Sequence, residues 1–105
     1  MPISKEYGNR LLDFYEELLT ERQRDILQLY YREDLSLSEI AENLQITRSA
    51  VSDTVNKTMK QLESYEQKLS LIENYDRRQE IYRQLSEHED KRVRALAEQL
   101  INIEE

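Results

Sequence analysis

From Leu35 to Met59 the chain reads LSLSEIAENLQITRSAVSDTVNKTM, and its apolar residues admit few folds. Leu37, Ile40, Ala41 and Leu44 recur at three and four residues, which puts their side chains on one face of a helix. Ser36 stands before them as a cap, with Glu39 three residues on to complete a capping box. Gln45, Ile46 and Thr47 leave room only for a tight turn, with Ile46 plugging the angle between helices. Thr47 then caps a second helix, whose Val51 points back at Ile40 and Ala41. Ala41 is small where the two backbones must come nearest.

A supporting helix, a tight turn and a projecting helix make a helix-turn-helix. With Val51, Val55 and Leu62 turned inwards, Arg48, Ser49, Ser52, Asp53, Asn56, Lys57 and Lys60 are left on the outer surface. Ser49, Ser52 and Asn56 suit base edges, Asn56 being matched to adenine. Arg48, Lys57 and Lys60 suit phosphates, and Thr47 adds an N-terminal amide contact. Asp53 is discordant, because a carboxylate there repels phosphate unless it accepts from a cytosine amino group or pairs with Lys57. Gln45 stands where a turn glycine is common, so the turn must tolerate a side chain or strain. Thr54 stands where an inward aliphatic is usual, and Val55 takes over the burial.

The remainder of the chain has little to build with except helix. It holds one Gly and one Pro in 105 residues, so hairpins and glycine-rich loops have no material. Thr20, Ser36, Ser64 and Ser86 each open a capping-box tetrapeptide. Periodicity predicts helices over Lys5–Leu19, with Tyr7, Leu11, Phe14, Tyr15 and Leu18 on one face, and over Glu21–Glu33, with Tyr30 and Tyr31 in its core. From Thr47 onward Val55, Leu62 and Leu69 form one seam and Thr58, Tyr65 and Ile72 another, at coiled-coil spacing. Ser64 either breaks this long helix or sits on its exposed side. A last helix is expected over Glu87–Ile103. The reading is all-α: a helix-turn-helix domain over 1–63 and a C-terminal helical extension over 64–105. The extension's apolar stripe exceeds what a small head can cover, which favours pairing with a second copy over folding back.

Charge sets a condition on any nucleic-acid role. The formal net charge is −7, and only residues 47–63 escape it, with Arg48, Lys57 and Lys60 against Asp53 and Glu63. Cations supply most of the affinity for phosphate, so few are available. The absence of cysteine excludes disulfides, thiolate metal sites and a cysteine nucleophile. His88, the only histidine, lies among carboxylates in SEHED and reads as exposed. The lone Gly8 cannot make a phosphate loop, and no metal-ligand spacing occurs. An enzyme is therefore not expected, nor a cofactor or metal. No apolar run reaches the ~20 residues of a membrane span, and the charged N-terminus is not a signal peptide. A soluble, cytoplasmic protein is expected.

The segment LSLSEIAENLQITRSAVSDTVNKTMKQLE resembles the helix-turn-helix of sigma-factor region 4 and of response-regulator output domains. The wider frame from Leu11 to Leu69, with its paired Tyr30-Tyr31 and its tail SYEQKL, resembles the bacterial YlxM family more closely. The likeness covers about residues 10–70 and implies a sigma region 4-like head in a bacterial cytoplasmic protein. Genes of that family commonly neighbour those of signal recognition particle components, which implies a regulatory part in that pathway. Two functions follow: a homodimeric regulator bound to double-stranded DNA, or a module that binds the particle's protein or RNA and not DNA.

Overall fold

The computed structural model describes residues 3–104, and six α-helices account for most of them: α1 Lys5–Tyr15, α2 Glu21–Leu27, α3 Leu37–Leu44, α4 Arg48–Leu69, α5 Leu71–Ser86 and α6 Lys91–Glu104. Among the described residues there is no strand. The chain divides into two compact units, residues 1–70 and 71–105.

In the first unit α1, α2 and α3 pack on α4. Leu11, Leu12, Tyr15, Ile26, Leu27, Ile40, Val51 and Leu62 are all but sealed from solvent. Helices this short are marginal alone, so this shared core holds them in place. Thr58 is buried with them, and its hydroxyl lacks a hydrogen-bond partner, an arrangement that costs about 1–3 kcal/mol.

Local chemistry sets the helix ends. Ser4 caps α1 by accepting from the Tyr7 amide, and Thr20 forms a full capping box with Gln23. The first helix stops earlier than its periodicity suggests, because a 3₁₀ turn over Glu16–Leu18 follows it. That turn swings Leu18 outwards and Leu19 inwards, and Leu12 replaces Tyr7 in the buried set.

After α2 the backbone widens into a π turn over Gln28–Arg32, closed by the Glu33 amide on the Gln28 carbonyl at 3.0 Å. Tyr31 is thereby buried beside α1, with Tyr30 edge-on to it at 4.9 Å. Three ties hold this turn. Lys5 Nζ donates to the Tyr30 carbonyl at 2.6 Å, and Asn9 Nδ2 donates to that of Tyr31 at 2.9 Å. Arg32 pairs with Asp13 at 2.6 Å and with Glu16. The Arg32 hydrogen bond holds the Glu16 carboxyl below its usual range, and burial pushes the Tyr31 hydroxyl up to about 12.

The long helix α4 runs straight through Ser64, so residues 64–70, expected in the extension, belong to the first unit. It ends at Ser70, in the left-handed region at φ 54°. The expected coiled-coil seam is largely consumed within this unit: Val55, Thr58 and Leu62 lie in its core, and Tyr65 stacks obliquely on Tyr15 at 6.0 Å. Leu69 alone of these stays exposed.

The second unit is a hairpin of α5 and α6, tied by an Arg78–Glu104 ion pair. Ser86 is the last residue of α5 and caps nothing; α6 starts at Lys91, with the Asp90 carboxylate accepting from the Arg92 amide at 2.8 Å. Exposed His88 accepts from the Asp90 amide through Nδ1 at 2.9 Å.

Candidate nucleic-acid interface

Ser36 opens the motif. Its hydroxyl accepts from the Glu39 amide at 3.0 Å while the Glu39 carboxylate takes the Ser36 amide at 2.8 Å. That backbone hydrogen bond lowers the Glu39 pKa. Helix α3 ends in a Schellman arrangement: the Ile46 amide reaches the Ala41 carbonyl at 3.0 Å and the Gln45 amide that of Glu42 at 3.3 Å. Gln45 consequently lies in the left-handed region, at φ 58° and ψ 45°. A non-glycine residue is strained there. Gln45→Gly is expected to stabilise the first unit by about 0.5–1 kcal/mol, the relief of strain exceeding glycine's entropic cost. Thermal unfolding would show this as a rise of roughly 3–6 °C; an unchanged midpoint would mean that the turn is not strained.

Thr47 then caps α4, its hydroxyl accepting from the Ala50 amide at 3.0 Å. The two helices cross with Ile40, Ala41 and Val51 buried between them, while Val55 is buried and Thr54 half-buried. Thr47, Arg48, Ser49, Asp53, Asn56, Lys57 and Lys60 are all exposed. Ser52 departs from expectation in being half-buried, because it lies next to inward-facing Val51. The outer residues at 49, 53, 56 and 60 step by four and three, so they share one stripe along about three helical turns.

Electrostatically this stripe is divided. Asp53 and Lys57 pair at 3.0 Å with both side chains mostly in solvent, so that lysine is partly neutralised. Arg48 and Lys60, nearer the two ends, have no ion-pair partner among the described residues.

Beside Asn56 and Lys60 opens a groove of about 430 Å³, whose wall includes Tyr30, Tyr31, Met59 and Glu63. The two tyrosines read from sequence only as core. Their adjacency was the available signal, since neighbouring residues cannot share one face of a regular helix. No group of side chains suited to a metal ion occurs among the described residues, and no helix there is long and apolar enough to cross a membrane.

Comparison with known proteins agrees with this geometry. A family model described as "Putative helix-turn-helix protein, YlxM / p13 like" matches residues 4–102. The chain belongs to this family. Its relatives include a "UPF0122 protein" of Halalkalibacterium halodurans, 49% identical over 85 residues, which are 81% of this chain and 78% of that one. The YlxM protein of Bacillus subtilis is 41% identical over 97 residues, 88% of each chain. A Listeria monocytogenes relative is 39% identical over 102 residues, 91% of this chain and 93% of its own. The family match extends beyond the helix-turn-helix into α5 and α6, so the C-terminal hairpin is part of the family's frame. The family is described by a helix-turn-helix and not by a reaction.

Proposed function

We propose that this protein is a cytoplasmic DNA-binding regulator that inserts the N-terminal half of α4 into the major groove. The observation that carries this reading is the exposed stripe of a capped, projecting helix, with polar Ser49 and Asn56 set between Arg48 and Lys60, which have no ion-pair partner among the described residues. Ser49, Asn56 and the less accessible Ser52 would contact base edges. Arg48, Lys57, Lys60 and the Thr47 end of the helix would contact phosphates. Two copies would set their α4 helices about 34 Å apart, one turn of DNA. The regulated process would be the signal recognition particle pathway.

Affinity for duplex DNA should fall as salt is added, because each neutralised phosphate releases counterions. Two to three effective cations give a log–log slope of about −2 to −3 per bound copy. Fluorescence anisotropy across a salt series measures this slope. No binding at low ionic strength would end this reading.

The Asp53–Lys57 pair and the acidic remainder of the chain favour a second reading. In it the same frame binds the protein or RNA of the signal recognition particle without touching DNA. Co-purification with those components, disrupted by changes outside residues 47–60, would support it.

A further inference from the structure

The hairpin of α5 and α6 is too small to be self-sufficient. Chains below about 40 residues usually need a disulfide, a metal or a partner. This unit spans residues 71–105, has no cysteine, and contains no metal-binding cluster among its described residues. Among its described residues the buried side chains are Ile72, Tyr82 and Ala97, whereas Leu96 is 60% exposed, Leu100 44% and Ile103 80%. With half-buried Val93 these residues step by three, four and three along α6, next to the face that carries Ala97.

We infer that this stripe is a contact surface for a second copy of the chain, packed antiparallel on its own equivalent. The inference gives the dimeric part of the proposed function a surface, and it does not depend on DNA binding.

Spacing and charge both fit a copy of the same helix. The stripe is symmetric about residue 98, so an antiparallel copy sets Val93 against the partner's Ile103 and Leu96 against the partner's Leu100. Along α6 the cations Lys91, Arg92 and Arg94 precede the anions Glu98 and Glu104, with no acid in the first turn and no base in the last. A lone helix prefers the reverse, since its N-terminus is the positive end of its dipole. Local partners answer part of this: Asp90 pairs with Arg92 at 3.2 Å, Arg94 donates to the carbonyls of His88 and Glu89, and Arg78 takes Glu104. Glu87 of the same turn is paired with Arg83. An antiparallel copy opposes the two dipoles and sets the end of each α6 that carries Lys91, Arg92 and Arg94 level with the other's Glu104, while Glu98, at the centre of symmetry, lies on the face away from the stripe. A parallel copy would align like charges instead.

The test uses the full chain without DNA. One pair of short helices buries less than the roughly 800 Å² per partner of a standard complex, so light scattering should extend to about 100 μM chain. The expected mass approaches twice 12.7 kDa, and Leu96→Glu with Leu100→Glu returns it to the monomer without loss of helical signal. Because the chain lacks cysteine, single cysteines report the orientation. Gln99→Cys lies about 3 Å along the axis from its counterpart and should be joined by a short bis-maleimide. Arg92→Cys, one heptad earlier, is about 18 Å from its own at 1.5 Å per residue and should not be joined. A monomer at all concentrations, a dimer that survives the two glutamates, or equal cross-linking at both positions would each overturn the inference.

Discussion

Gly8→Ala should destabilise the first unit by about 2 kcal/mol, although alanine is the better helix former. Gly8 lies inside α1 and is buried. In a helix interior, replacing glycine with alanine is normally worth about 0.5–1 kcal/mol in alanine's favour. Here a methyl group would lie 2.7 Å from Tyr31 Cζ and closer still to two other atoms of that ring. The ring cannot swing away easily, being buried against Tyr30 with its own carbonyl held by Asn9. Overpacking of this kind costs typically 1–3 kcal/mol, and contact with three ring atoms puts it at the upper end. The clash therefore exceeds the propensity gain and sets the sign. Urea unfolding followed by circular dichroism measures the change. The cost should vanish in a Tyr31→Ala background, because the coupling lies between these two side chains. Stabilisation by Gly8→Ala alone would show that the π turn does not press Tyr31 onto α1.

Gly8 also marks a boundary between what was legible in the sequence and what was not. Features set by residues three to five apart could be read: the boxes at Thr20 and Ser36, the Thr47 cap, the strained turn at Gln45 and the Asp53–Lys57 pair. Each depends on a side chain meeting backbone or charge one turn away. Ser64 and Ser86 show the limit of the same rule. They fit the capping tetrapeptide, but a cap also needs non-helical backbone, and the helix around each runs on or ends for other reasons. The π turn was hidden because one extra residue leaves no periodic signature in so short a segment. The seam of Val55, Thr58 and Leu62 was legible as an apolar face. Its cover was not, since heptad spacing is the same whether α1 and α2 or another copy lies against it. On the outer face of α4 the exposed positions were anticipated except for Ser52. Burial there turns on a small rotation of the helix that spacing does not resolve.

Asp53→Asn should tighten binding to duplex DNA about three- to tenfold, and Lys60→Glu should weaken it at least tenfold. Both follow from the small number of cations on α4. Asp53 removes its own charge's worth of attraction from the exposed stripe and draws Lys57 back at 3.0 Å. The asparagine frees that lysine and leaves a side chain of the same shape. Stability barely changes, because an exposed pair four residues apart on a helix contributes only about 0.3–0.5 kcal/mol. A gain in affinity is thus an electrostatic result and not a folding one. Lys60→Glu reverses a cation that has no ion-pair partner among the described residues, turning the proposed phosphate contact into a repulsion. The salt slope should steepen by about one unit in the first variant and become shallower by about one in the second. Opposite shifts in affinity and slope would place α4 against phosphate. If neither substitution alters either quantity, the exposed stripe does not face DNA, and the acidic helices around it become the binding surface for another macromolecule.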